Sequence, residues 1–154
     1  MEKTKGFTLI ELLVVIAIIG ILSAVVLASL NTARAKGADA AIKANLANVR
    51  AQGAIWYDDN GHYGDDTADC SAVGTIFADA TVASAIDAAE LASGAGNSAT
   101  CYADDGDVAA GTAASSWAIS VPLKAASPDS WCVDSTGVSE VGTAGLVDDL
   151  AVCQ

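Results

Sequence analysis

The sequence predicts an α+β chain, one long N-terminal helix followed by a small antiparallel sheet. Three patterns carry that expectation. Between Glu11 and Arg34 run 22 consecutive residues without a charge, most of them Leu, Val, Ile or Ala. Beyond them Ile42, Leu46, Val49, Gly53 and Trp56 recur at intervals of 4, 3, 4 and 3, the stripe of an amphipathic helix. Far downstream, Trp117, Ile119, Val121 and Leu123 alternate with Ala118, Ser120 and Pro122, the period of a half-buried strand.

The apolar run is long enough to cross a bilayer core, which takes about 20 residues in a helix. A secretory h-region is only about 7–15 residues, so an ordinary cleaved signal fits it poorly. A buried helix of a soluble protein fits no better, because nothing precedes the run that could cover it. One helix is expected from Thr8 to Tyr57, membrane-embedded in its first half and packed on a head in its second. Gly20 is its weakest position, and Asp39 with Lys43, four apart, forms a weak pair on its exposed face. The Asn60-Gly61 dipeptide in Asp58-Asp59-Asn60-Gly61-His62-Tyr63 is a turn signal that ends it.

Charge divides the chain again. Up to Arg50 six basic residues face three acidic ones, but beyond Arg50 only Lys124 stands against sixteen Asp and Glu, a net charge of −15. Such a domain repels phosphate backbones, so direct nucleic-acid binding is not expected. An acidic surface rich in Ala, Gly, Ser and Thr suits an exposed, soluble head.

Cys70, Cys101, Cys132 and Cys153 all lie in the acidic part. With no CxxC pair and a single histidine, His62, a zinc site lacks ligands, and two disulfides in an oxidising compartment are the expected state. Four cysteines allow three connectivities. The expected one is sequential, Cys70–Cys101 and Cys132–Cys153, the second tying the C-terminal tail to the strand that carries Cys132. The cysteines therefore place the head outside the cytoplasm, whereas Lys3 and Lys5 before the apolar run and Arg34, Lys36 and Lys43 after it leave its orientation open.

Within the head, Thr81–Leu91 is expected to form a short helix stopped by Gly94, with Val82, Ile86 and Ala89 on one side. The strand around Trp117–Leu123 is expected at a sheet edge because of Pro122. Ser130–Val133 and Val138–Val141 flank Asp134-Ser135-Thr136-Gly137 as a hairpin, and residues 138–154 supply the last strand and a tail. Trp56, Trp117 and Trp131 are expected in the core. The aspartates at 58, 59, 65 and 66, and those at 104, 105 and 107, fit no EF-hand spacing and are expected to be solvated, with no metal or other cofactor. His62 is expected at the surface. No nucleophile lies beside a base and no Gly-rich phosphate loop occurs, so no enzyme is expected.

The N-terminus reads Met-Glu-Lys-Thr-Lys-Gly-Phe-Thr-Leu-Ile-Glu-Leu-Leu: a short charged leader ending in Gly6, then Phe7, then a lone Glu11 inside an apolar run. These residues resemble the type IV prepilin family, which includes the pseudopilins. In that family a membrane peptidase cuts after the glycine and methylates the new terminal amine. The resemblance thus implies cleavage between Gly6 and Phe7, N-methylation of Phe7, and an assembly role for Glu11, paired with the terminal amine of a neighbouring subunit. The Asp-x-Gly-x-Tyr segment ending at Tyr63 also resembles the family, although Gly64 stands where a proline is usual. Many pilins carry a helix-breaking proline in the membrane segment. Here no proline precedes Pro122, which leaves melting around Gly20–Ala28 an open point.

The resemblance implies the pilin fold, divided into a leader (1–6), a membrane and filament-core helix (7–30), its amphipathic continuation (31–57) and an acidic head (58–154). It implies a structural subunit that polymerises with itself after contact with a prepilin peptidase/methyltransferase and a pilus assembly platform. The subunit would reside first in the cytoplasmic membrane and then in a surface filament serving adhesion, motility or uptake. A pseudopilin of a type II secretion system is the alternative. A monomeric membrane-anchored binding protein is a third reading, though a plain anchor needs neither Gly6 nor Glu11.

Overall fold

A computed structural model describes residues 6–94, 96–105, 113–147 and 150–154. The first five leader residues, and Gly106 and Asp107 of the second acidic run, lie outside them. The chain is α+β, with the elements α1 (Leu9–Asn60), α2 (Ala80–Ser93), β1 (Thr100–Asp104), β2 (Ser116–Pro122), β3 (Ser130–Asp134), β4 (Ser139–Val141), β5 (Ala144–Val147) and β6 (Leu150–Cys153). It divides into two compact units, one ending at Ala35 and one running from Lys36 to Gln154.

In the first unit α1 is unbroken through Gly20 to Ala28. Its apolar side chains are exposed on every side, from Leu9 at 78% to Leu30 at 41%, and none of its most apolar 18-residue window is buried. By length and composition it can cross a membrane.

The second unit is built around the remainder of α1. Ile42, Leu46, Val49 and Gly53 are buried and Trp56 packs beside them, along the expected stripe. The helix continues three residues past Tyr57. It ends where Gly61, at φ +76°, returns its N–H to the Tyr57 carbonyl at 2.8 Å, a left-handed position that glycine occupies without a Cβ penalty. The expected Asp39–Lys43 pair does not form. Asp39 accepts instead from the backbone N–H of Lys124 (2.7 Å) and Ala125 (3.1 Å), and the Lys43 ammonium lies 4.2 Å from the centre of the Trp131 ring. Both groups found more stabilising partners in the folded head than a solvated i,i+4 contact provides.

α2 starts at Asp79, whose carboxylate accepts from the N–H groups of Thr81 and Val82, and stops at Gly94. Val82, Ile86, Ala89 and Ser93 form its buried face. The main sheet is antiparallel in the order β1-β2-β3-β4, with Ile119 opposite both Cys101 and Val133.

β2 is therefore a central strand, not the edge strand expected from Pro122. Pairing explains this, since β1 flanks β2 on one side and β3 flanks it on the other. Pro122 is the last residue of β2, where its missing N–H interrupts little of the ladder. β5 and β6 form a separate two-stranded sheet, a hairpin-like layer in place of the single strand and tail expected over 138–154. That layer covers the second face of the main sheet. Trp117, Ile119 and Val121 meet the α1 and α2 side chains, while Ala118 and Cys132 join Ala144 and Ala151 in a smaller core on the opposite face. The small residues Ala118 and Ser120, read from sequence as an outer face, are buried beneath β5–β6. The hairpin of β3 and β4 is present, with Val133 opposite Ser139.

His62 is half-buried rather than a free surface side chain. Its Nδ1 accepts from the Gly64 N–H at 2.9 Å. Gly64 has φ +107°, and a Cβ there would collide with Thr75, so the proline usual at this place in pilins could not be accommodated.

Candidate functional site: the N-terminal helix start and the bonds that hold the head

Gly6, Phe7 and Thr8 precede the first turn of α1 and are exposed. Thr8 is the N-cap and Glu11 the third helical residue. The Glu11 Oε2 accepts from the Thr8 N–H at 2.8 Å and from the Thr8 hydroxyl at 2.7 Å, while the Glu11 N–H approaches the Thr8 Oγ1 at 3.3 Å. This reciprocal arrangement is a capping box, which satisfies backbone donors that the first helical turn leaves without partners. The sequence signal, Thr-x-x-Glu just before an apolar run, was available in residues 8–11. It gives Glu11 a role within its own helix that the charge alone does not reveal.

The capping box does not exhaust the carboxylate. Oε2 takes both Thr8 bonds, and among the described residues Oε1 has no partner. A carboxylate has about four lone-pair positions, so Glu11 can hold its own helix start and still accept a further cation. It also lies where a negative charge complements the positive end of the helix dipole.

Each sheet face carries one disulfide. Cys70–Cys101 (Cα separation 5.1 Å) joins the loop after α1 to β1 in the larger core, and Cys132–Cys153 (5.7 Å) joins β3 to β6 in the smaller one. Asp134, buried at 2% exposure, supports the second. Its Oδ1 accepts from the Thr136 N–H and hydroxyl and from the Val138 N–H, closing the β3–β4 turn, and its Oδ2 accepts from the Cys153 N–H at 3.0 Å.

The two acidic runs meet in part. Thr67 and Ala103 exchange backbone hydrogen bonds of 2.9 Å, which brings Asp66 beside Asp104 and Asp105 so that carboxylate oxygens of all three lie within 4.8 Å of one another. These three could hold a hard cation. The sequence grouped the aspartates by run, and the bridge that unites them joins residues 36 positions apart. Asp69 is exposed, and hydrogen bonds from the Ser71 N–H and hydroxyl hold its carboxyl below the usual carboxylate range.

Comparison with known proteins agrees with the N-terminal geometry. Residues 1–27 match the prokaryotic N-terminal methylation motif. The chain is 44% identical over 63 residues to the type IV wide pilus major component PilA4 of Thermus thermophilus. The match covers 41% of this chain and 48% of the relative, so the chain spans about half the length of that relative. No solved structure matches the chain. The chain thus shares with type IV pilins the methylation motif on an exposed apolar helix start and, over 63 residues, 44% of its sequence with a pilus component.

Proposed function

We propose that this chain is a prepilin whose mature form is a structural subunit of a type IV pilus-like filament. The leader is residues 1–6. A prepilin peptidase cuts between Gly6 and Phe7 and methylates the Phe7 amine. Residues 7–30 hold the subunit in the cytoplasmic membrane until the assembly platform extracts it, and residues 31–57 carry the helix into the acidic head formed by 58–154. Filaments then stand on the cell surface with apolar helices inside.

The observation that carries this reading is the coincidence of the methylation motif with a capped helix start that opens an apolar stretch no other part of its unit buries. A helix exposed on every side in the monomer needs lipid before assembly and like helices after it. A carboxylate in that setting costs roughly 2.5–3.5 kcal/mol on insertion scales, and a partner that neutralises it gives a reason for its presence. Glu11 supplies the acceptor, and the terminal amine of an adjacent subunit supplies the cation.

The relative's role as a pilus component favours a pilus over the pseudopilin alternative. Mass spectrometry of sheared surface filaments tests the proposal. A subunit beginning at N-methylated Phe7 supports it, whereas this chain found uncut in membranes and absent from filaments contradicts it.

A further inference from the structure

The acidic head creates a packing problem for any assembly of copies. Heads that each carry −15 beyond Arg50 repel when brought within a Debye length of about 8 Å at physiological salt, unless opposite charge is interposed. Two of the four basic residues of α1 cannot serve. Lys43 is stacked on Trp131, and Arg50 donates to the Ser139 hydroxyl at 3.2 Å. Arg34 and Lys36 differ. Both are exposed, and among the described residues neither forms an ion pair or hydrogen bond through its side chain.

The second unit holds a receptor of matching chemistry. An open cavity of about 430 Å³ lies between α2 and the loop after α1, with Phe77 and Ile86 on its apolar side and the carboxylates of Asp69, Asp87 and Glu90 around it. Asp69 accepts from Ser71 and Glu90 accepts from the Ala99 N–H at 2.6 Å. Asp87 is exposed and, among the described residues, makes no such bond. An apolar surface bordered by carboxylates suits a long basic side chain, whose methylenes lie on the apolar part while its head reaches the acids.

The geometry points to an inter-subunit contact in which Lys36 of one copy enters the cavity bordered by Asp69, Asp87 and Glu90 of a second copy. The occupant is a second copy of this chain because the charges are complementary and because the head itself offers only Lys124 as a base. The contact rests on the filament reading and adds to it the surface by which one head meets its neighbour.

Zero-length carbodiimide coupling of intact wild-type filaments, followed by peptide mapping, tests the contact. The expected product is a dimer joined from Lys36 to Asp87 or Glu90. Lys36→Glu is expected to lower sheared filament yield at least tenfold, and the charge exchange Lys36→Glu with Asp87→Lys to restore most of it. Both positions are exposed, so neither change threatens the fold. Wild-type filaments without this cross-link, together with normal yield from Lys36→Glu, overturn the contact while leaving the filament reading intact. Failure of the wild-type chain to form filaments at all overturns both. If Lys36→Glu instead reduces membrane retention and Asp87→Lys does not rescue it, Lys36 serves lipid headgroups and the contact is likewise overturned.

Discussion

The indole of Trp117 lies directly against the backbone of Gly53. A Cβ built on Gly53 would come within 3.1 Å of the Trp117 Cζ2 and Nε1 atoms and 3.2 Å of the Ile76 Cδ1. The glycine on the apolar stripe of α1 is thus the place where the largest core side chain meets the helix.

That relationship predicts the effect of filling the gap. Gly53→Leu should destabilise the head by about 1–3 kcal/mol through overpacking, despite the better helix propensity of leucine. Denaturant unfolding of the detergent-solubilised chain, followed by tryptophan fluorescence, checks this. Unchanged stability would mean that the helix and β2 do not approach as closely as described.

Asp134 gives a second test. Asp134→Ala removes four hydrogen bonds and leaves the Val138 and Cys153 N–H groups without their acceptor. The expected cost is about 2–4 kcal/mol, with loosening of the C-terminal strand before the rest of the head. Hydrogen exchange should show lost protection at residues 151–153 first.

Much of this was legible in the sequence because the responsible forces are periodic or local. The apolar run, the stripe from Ile42 to Gly53 and the short helix after Asp79 follow from side-chain spacing and capping. Long-range pairing was less accessible. Pro122 suggests an edge strand because the pairing of β1 along the second side of β2 is long-range, and Ala118 and Ser120 look solvent-facing because small residues are used both under close-packed layers and at surfaces. Asp66, Asp104 and Asp105 belong to different runs and meet through one bridge between Thr67 and Ala103. Thr8 with Glu11 is the opposite case, a local signal written in residues 8–11.

The disulfides are expected to contribute roughly 3–4 kcal/mol each in the chain-entropy model, for separations of 31 and 21 residues. Non-reducing peptide mapping should recover Cys70–Cys101 and Cys132–Cys153. Cys132→Ser with Cys153→Ser should lower the melting temperature measurably. A Cys70–Cys132 or Cys101–Cys153 bridge would contradict the arrangement.

Tyr63 provides a pH test. Burial raises its phenol above the usual value of 10.0, and Tyr57 adds to this while a hydrogen bond with Trp117 opposes it. Between the unfolded and folded values the native state binds more protons, so this residue's contribution to stability is complete below about pH 10 and is lost as pH rises beyond it. Absorbance titration should show a late-ionising component that is absent in Tyr63→Phe. A titration curve that Tyr63→Phe leaves unchanged at its alkaline end would contradict the burial of Tyr63.

The central claim is that Glu11 both caps its own helix and accepts the amine of a neighbour. The two roles separate by substitution. Glu11→Gln retains an oxygen for the Thr8 bonds and loses the charge, whereas Glu11→Val loses both. Filament yield by sheared-surface electron microscopy, with each variant as the sole subunit, is the most direct measurement. The account predicts intact leader cleavage and membrane insertion for both variants, and at least tenfold fewer filaments for both, because the neighbour's amine needs the charge. Normal filament numbers from Glu11→Gln would contradict the pairing and leave Glu11 as a helix cap alone.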